Sequence, residues 1–169
     1  TSEEARAYLK HAAAMRRAAT GEEEEVSADE DEDDVVGETV LSPERIVELG
    51  AAEEFVLTIA DDGMGKRSSA FDYRVTGRGG KGLVAQNIWG RDKKKGPVKK
   101  VAQSFPVGDG DQVMLVTDGG QLIRTPVDQI RIAGRSTGGV WVLRTTGEER
   151  VVSVARLVED GETAMDGDD

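Results

Sequence analysis

The chain has 169 residues, of which 37% are hydrophobic and 4% aromatic, so we expect one or two small domains and some unpacked chain. It has no cysteine, which excludes disulfides and thiolate metal sites and is typical of a reducing cytosol. No apolar run approaches the roughly 20 residues of a membrane span, and no secretory leader is recognisable. We therefore expect no membrane partner and a cytoplasmic location.

The formal net charge of −11 is divided unevenly along the chain. Residues 1–54 carry a net charge of −12, residues 55–158 carry +7, and residues 159–169 carry −6. A basic body between two acidic flanks keeps a polyanionic partner possible although the whole chain is acidic.

The N-terminal third is predicted to hold two helices joined by an acidic linker. Residues 1–20 have Ser2 as a candidate cap, acidic residues early and arginines late, which favours a helix. Residues 21–40 contain a run of like charges and are predicted to be a disordered acidic linker, as is the acidic tail at residues 159–169. Residues 41–54 are predicted to contain a short helix with Pro43 at its first position.

From residue 55 the pattern changes to alternating strands and glycine turns, and it repeats. Residues 55–84 align without a gap on residues 112–141, and residues 98–103 are matched to residues 151–156. We divide this region into a first repeat (residues 55–108) and a second repeat (residues 109–158). Strands are expected near residues 55–60, 66–70, 83–88, 98–104, 112–117, 121–126, 140–145 and 151–157. The predicted fold is all-β, with two propeller or pinwheel blades of four antiparallel strands, and with further blades expected outside this chain because two cannot close a ring.

The run GRGGKG at residues 77–82 fits G-x-G-x-x-G, but no helix follows it. A dinucleotide site requires that helix, and a P-loop requires a different glycine spacing, so both are rejected. Two interpretations stay open. The glycines permit a sharp turn between strands, or they bring backbone amides and neighbouring cations close to a phosphate.

Cations recur at matching places in both repeats and are the candidate phosphate contacts. Arg67 and Arg124 begin equivalent strands and are expected to face the same way, while Arg74 and Arg78 match Arg131 and Arg135. The densest basic stretch, RDKKKGPVKK at residues 91–100, is either a solvated loop or a set of phosphate contacts without sequence preference. The full candidate set is Lys66, Arg67, Arg74, Arg78, Lys81, Arg91, Lys93, Lys94, Lys95, Lys99, Lys100, Arg124, Arg131 and Arg135.

Residues 51–82 and 111–140 resemble the C-terminal, DNA-wrapping domain of DNA gyrase A, a type IIA topoisomerase. The resemblance covers roughly residues 41–158, and residues 1–40 resemble an insertion found in some bacterial members. It implies a six-bladed pinwheel of which these are the last two blades, with a basic rim that wraps double-stranded DNA during ATP-dependent negative supercoiling. The implied partners are the rest of gyrase A and the gyrase B protein in an A2B2 heterotetramer. The run at 76–82 lacks the leading Gln-Arg of the family's signature box, so that box's role is not transferred to it.

No catalytic residue, metal site or cofactor is expected in this chain. The only tyrosines, Tyr8 and Tyr73, lack the context of a topoisomerase nucleophile, and His11 lies on the predicted first helix. The resemblance implies that Mg²⁺ and ATP act in other regions or other polypeptides of the whole enzyme. The alternatives are the corresponding domain of the topoisomerase IV A protein, and a propeller-type protein-interaction module that does not bind DNA.

Overall fold

The computed structural model describes residues 1–21, 39–89 and 96–158 of the chain. Within these ranges it contains two α-helices and seven β-strands. They are α1 (Ser2–Thr20), α2 (Pro43–Ala51), β1 (Phe55–Ala60), β2 (Met64–Ser69), β3 (Val101–Val107), β4 (Gln112–Thr117), β5 (Leu122–Pro126), β6 (Val140–Trp141) and β7 (Val151–Leu157).

The predicted N-terminal helix is present and packs on the body of the protein. Its cap is Thr1 rather than Ser2, because Thr1 forms a reciprocal capping box with Glu4. Tyr8 of α1 contacts the ring of Phe71 edge-on, with 5.6 Å between ring centroids. The helix therefore contacts both α2 and the turn that follows β2. Residues 22–38 of the predicted acidic linker, and the predicted tail at 159–169, lie outside the described residues.

All strand pairs in the two sheets are antiparallel, which confirms the predicted all-β body. The first sheet has the order β3-β1-β2-β6 and the second has the order β5-β4-β7. The short strand β6 belongs to the second repeat by sequence but pairs with β2 of the first, through Met64 with Trp141 and Gly65 with Val140. One strand thus crosses between the repeats, which leaves four strands in the first sheet and three in the second.

The hydrophobic core lies between the two sheets. Leu57 and Ile59 of β1 pack with Val113 and Leu115 of β4, and all four side chains are at most 1% exposed. Burying such a side chain contributes roughly 1.5–3 kcal/mol, so this contact is a main source of the stability of the pair. The two repeats therefore form one stacked unit.

Three sequence expectations differ from the structure. Residues 83–88 form no strand, and the strand expected at 140–145 is only two residues long. The last strands also align differently, because β3 and β7 pair equivalently with β1 and β4 at residues 101–107 and 151–157. The match of residues 98–103 to residues 151–156 was therefore shifted by three positions.

Candidate nucleic-acid interface

Three of the predicted DNA contacts are buried, and Lys66 is the most enclosed of them. Its side chain is 0% exposed. The ammonium Nζ donates to the carbonyls of Ala85 at 3.0 Å, Gly134 at 2.9 Å and Arg135 at 2.5 Å, and to the Ser68 hydroxyl at 2.9 Å. Burial lowers the pKa of Lys66 to about 8, although the nearby Asp72 carboxylate opposes this shift. The prediction that Lys66 contacts DNA is wrong, because the lysine joins the first repeat to the second.

Arg67 follows Lys66 on β2 and points to the opposite face of the sheet, where it is also covered. It is 7% exposed, and its Nε donates to the carbonyl of Ile130 at 2.6 Å. One terminal nitrogen pairs with the Asp109 carboxylate at 2.5 Å, and the other donates to the carbonyl of Asp128 at 3.0 Å. Desolvation lowers the pKa of Arg67. The forked donors of this guanidinium are occupied within the protein, so the prediction for Arg67 is corrected in the same way.

Arg135 is 1% exposed, and it lies against the first repeat. Its Nε donates to the carbonyl of Asp72 at 3.0 Å, and Nη1 donates to the carbonyl of Val84 at 2.6 Å. Its backbone amide donates to the Asp72 carboxylate at 2.6 Å. Burial lowers the pKa of Arg135. The prediction of a phosphate contact at Arg135 is therefore wrong, since this side chain holds the two repeats together.

The remaining predicted cations fall into three groups. Those exposed to solvent are Arg74, Arg78, Lys81, Lys100 and Arg124. Arg131 is partly buried, and the Lys99 side chain is 8% exposed, with its ammonium 3.2 Å from the Asp62 carboxylate. Outside the described residues lie Arg91, Lys93, Lys94 and Lys95, so their predicted DNA contacts stay predictions.

Two exposed cations occupy equivalent corners of the two repeats. Lys100 precedes β3, and its backbone amide donates to the Asp61 carboxylate at 2.9 Å. Arg150 precedes β7, and its backbone amide donates to the Asp118 carboxylate at 2.8 Å. The amides of Asp61 and Asp118 in turn donate to the carbonyls of Lys100 and Arg150. The same local geometry therefore places one exposed cation beside the first hairpin turn of each repeat.

Sequence comparison of the repeats missed Arg150 because the last strands were aligned three positions out of phase. With the observed alignment, Lys100 and Arg150 become counterparts. The carboxylates of Asp61 and Asp118 lie close by and reduce the local positive potential. Each of them already accepts a hydrogen bond from a backbone amide, that of Lys100 or of Arg150. The signal that could have found Arg150 was the excess of basic residues across residues 55–158.

Tyr8 is buried and Tyr73 is partly buried. The Tyr8 hydroxyl donates to Glu53 at 2.8 Å, and burial, followed by that hydrogen bond, raises its pKa to about 12. Burial also raises the pKa of Tyr73. Among residues 1–21, 39–89 and 96–158 there is no group of three potential metal-ligating His, Cys, Asp or Glu side chains. In the same ranges, no helix has both the length and the apolar character to cross a membrane.

Comparison with known proteins decides the family. A family model described as the DNA gyrase C-terminal domain, beta-propeller, matches residues 54–93 and 111–157, which together are about half of the chain. The chain belongs to this family. The resemblance stated from the sequence is thereby confirmed, and so is the propeller-like character of the fold.

Relatives at the sequence level are gyrase A proteins. The A subunit of DNA gyrase from Granulibacter bethesdensis is 50% identical over 173 residues, an alignment that covers 100% of this chain and 18% of that protein. Its counterpart from Rickettsia prowazekii is 42% identical over 73% of this chain and 13% of that protein. The Salmonella typhimurium counterpart is 34% identical over 86% of this chain and 15% of that protein. The chain thus spans less than a fifth of the length of these curated relatives.

Two solved structures share the fold. The C-terminal domain of DNA topoisomerase IV has a TM-score of 0.52 and 22% identity, covering 61% of this chain and 30% of that one. A DNA gyrase A C-terminal domain has a TM-score of 0.53 and 24% identity, covering 63% of this chain and 34% of that one. At these identities the two structures support only the fold of this chain and carry no conclusion about its function.

Proposed function

We propose that this chain is a C-terminal part of DNA gyrase A, and that it binds double-stranded DNA through cations repeated along its blades. The observation that carries the proposal is the equivalent placement of Lys100 and Arg150, one exposed cation beside the first hairpin turn of each repeat. Cations at equivalent positions of successive blades suit the repeating phosphates of a duplex backbone. Family membership and the gyrase names of the relatives support the same assignment.

The mechanism is electrostatic and does not require base readout. Each lysine or arginine that neutralises a phosphate releases condensed counterions, so binding weakens steeply with salt. Contacts repeated around a curved surface also offset the cost of bending the duplex, which is of the order of a few kcal/mol. Arg78 does not enter this set, because its counterpart Arg135 is buried.

We infer that the whole gyrase A protein works in an A2B2 assembly with gyrase B. There, bent DNA would be presented to a catalytic core that uses Mg²⁺ and ATP for negative supercoiling. This chain would supply DNA binding, with neither a catalytic residue nor a cofactor of its own. The corresponding location is the cytoplasm, on the nucleoid.

A salt titration of DNA binding tests the proposal. The variant Lys100→Gln with Arg150→Gln is compared with Arg6→Gln with Lys10→Gln, which removes the same charge from α1. Fluorescence anisotropy of a labelled duplex should show that the blade variant lowers the log–log salt slope by about 2, at about 0.9 per phosphate contact. The α1 variant should leave the slope close to that of the unmodified chain.

Three outcomes would contradict the proposal. Equal effects of the two variants would mean that only net charge matters. A slope near zero for the unmodified chain would favour a propeller-type protein-interaction module instead. A topoisomerase IV assignment would be favoured if the full-length protein bound DNA without wrapping it, which a supercoiling assay on relaxed plasmid detects.

A further inference from the structure

A cleft lined by arginines lies between the last turn of α1 and the second repeat, and its volume is about 270 Å³. The arginines that line it are Arg16 and Arg17 of α1, Arg67 of β2, and Arg131 of the segment that follows β5. Among the described residues that line this arginine cleft, one is acidic, Asp128. A concave surface with more arginines than carboxylates attracts anions.

The arginine cleft lies at the ends of the strands away from the first hairpin turn of each repeat. In the first repeat, α1 reaches the cleft just before β1 begins, because Arg16 pairs with Glu53. In the second repeat, residues 128–132 follow the end of β5, which pairs with the start of β4. Lys100 and Arg150 lie beside the hairpin turns instead. The cleft is therefore separate from the two cations that carry the proposed function.

Two of the four arginines are held in position by the protein itself. The Nη2 atom of Arg16 donates to both carboxylate oxygens of Glu53, at 3.0 and 2.9 Å. The guanidinium of Arg67 is held by the Asp109 carboxylate and by two backbone carbonyls. Both guanidinium groups also lie over the ring of Phe55, at 5.7 and 5.6 Å from its centroid. Their positive charges are thus fixed at the cleft before any ligand binds.

The two fixed charges repel each other. Desolvation is the main cause that lowers the pKa of Arg67, and the positive charge of Arg16 lowers it further. The carboxylates of Asp109 and Asp128 oppose this shift. An anion in the cleft would be attracted by both arginines and would offset their mutual repulsion.

The other two arginines approach the cleft from opposite walls. Arg17 is exposed in the last turn of α1, and Arg131 is partly buried on the second repeat. The forked donors of arginine match the oxygens of a phosphate group. One phosphate group can therefore accept hydrogen bonds from both α1 and the second repeat.

The end of α1 opposes an anion less than an uncapped helix would. The last carbonyls of a helix carry partial negative charge. Here the carbonyl of Arg16 accepts from the Thr20 hydroxyl at 2.9 Å, and that of Arg17 accepts from the Gly21 amide at 2.8 Å. Both caps reduce the negative potential that the helix directs at the cleft.

We propose that the arginine cleft binds one phosphodiester group of a nucleic-acid backbone, with Arg17 and Arg131 as its hydrogen-bond donors. Arg16 and Arg67 supply fixed charge beneath it. Because Arg17 and Asp128 are exposed, the cleft is open to a group that belongs to a long chain. The helix α1 thereby adds a DNA contact of its own to those of the blades. This inference rests on the proposed function, since the phosphodiester belongs to the DNA that the blades bind.

A salt titration of duplex binding tests the cleft with a control on the same helix. The variant Arg17→Gln with Arg131→Gln is compared with Arg6→Gln with Lys10→Gln, which removes the same charge about two to three turns earlier on α1. Fluorescence anisotropy should show that the cleft variant lowers the log–log salt slope by about 1, as expected for one phosphate, while the control leaves it unchanged. An unchanged slope in the cleft variant, or equal changes in both variants, would overturn the proposal.

Inorganic phosphate separates a backbone phosphodiester from a small free anion. The NMR signals of the Arg17 and Arg131 Nε–H groups are followed while the chain is titrated with a duplex or with inorganic phosphate at one ionic strength. The duplex should shift both signals at a phosphate-group concentration at least about tenfold lower, because its neighbouring contacts raise the effective concentration at the cleft. Saturation by inorganic phosphate at an equal or lower concentration would indicate a small-anion site and overturn the proposal.

The exposed residue Arg17 keeps the test valid if the double variant does not fold. Arg17→Gln alone should leave the thermal midpoint unchanged and still lower the salt slope, and an unchanged slope would count against the cleft. Failure of this inference is distinct from failure of the proposed function. If the Lys100 and Arg150 variant lowers the slope and the cleft variant does not, the proposed function holds and this inference is wrong.

Discussion

Raising the pH should stabilise this chain through Lys66. The lysine is 0% exposed, and burial lowers its pKa from the ordinary value of 10.5 to about 8. Between these two values the folded protein has lost the proton while the unfolded chain still holds it. Because the unfolded state then binds more protons, the free energy of unfolding increases with pH.

The size of the effect follows from the two pKa values. From about pH 7 to about pH 9.5 the free energy of unfolding should rise by up to about 2 kcal/mol. This figure is an upper limit, since the four oxygens around the ammonium favour its charged form. Above about pH 10 the ionisation of tyrosine opposes the trend. Tyr8 has its pKa raised to about 12, so the folded state retains a proton that the unfolded state releases.

Urea unfolding of the 169-residue chain at several pH values measures this dependence. Lys66→Met serves as the control because it keeps much of the side-chain volume and removes the titrating group. The unmodified chain should become more resistant to urea as the pH rises, and the variant should not. An NMR titration of the Lys66 Cε signal provides the pKa directly if the variant does not fold.

A level or falling free energy in the unmodified chain would refute the reasoning. So would an equal rise in the Lys66→Met variant, because the proton would then come from another group. A titration midpoint near 10.5 would show that burial does not lower the pKa of Lys66, which removes the basis of the expected pH dependence.

Three further predictions concern the packing of the repeats, the packing of α1 and the acidic tail. Gly139→Ala should lower the free energy of unfolding by at least about 2 kcal/mol in urea titrations, because the new Cβ atom clashes with Gly65 and the positive φ is unfavourable for alanine. Gly82→Ala is the control: it has the positive φ without the clash and should lower the free energy of unfolding by about 1 kcal/mol. Glu53→Gln should weaken the contacts to Tyr8 and Arg16 by about 1–3 kcal/mol, which faster hydrogen exchange of the α1 amides would reveal. Deletion of residues 159–169, which carry a charge of −6, should raise DNA affinity at low salt and have little effect at high salt. Fluorescence anisotropy measures both affinities. An unchanged affinity at low salt would exclude competition between the tail and DNA.

Local patterns in the sequence were sufficient to predict the helices and the two hairpins. The alternation of strand residues on either side of Gly63 and Gly120 predicts the hairpins β1–β2 and β4–β5. Both glycines have positive φ values at the turns of these hairpins. The family followed from the glycine and arginine pattern of the same regions. The helices and hairpins could be predicted because each depends on residues that are close together in the sequence.

Long-range contacts could not be predicted in this way. The pairing of β6 with β2 joins residues that are far apart in the sequence, so no local pattern specifies it. Lys66 and Arg67 look like surface cations in a short polar strand, yet β2 is covered on both faces. Their burial depends on carbonyls of Gly134 and Ile130, which the second repeat supplies.

Each of the two buried arginines has an exposed counterpart in the other repeat. Arg67 and Arg124 occupy equivalent strands, but Arg67 is buried where the repeats meet and Arg124 is exposed on β5, an edge strand of the second sheet. Arg135 and Arg78 differ in the same way on the equivalent segments at residues 131–141 and 74–84. In each pair the exposed copy lies where the two-repeat stack ends, so its exposure reflects the end of the stack. Lys100 and Arg150 are different, because both members of this pair are exposed. A missing neighbour at one end of the stack would expose only one of them. Exposure of both counterparts is therefore the stronger criterion for a DNA contact.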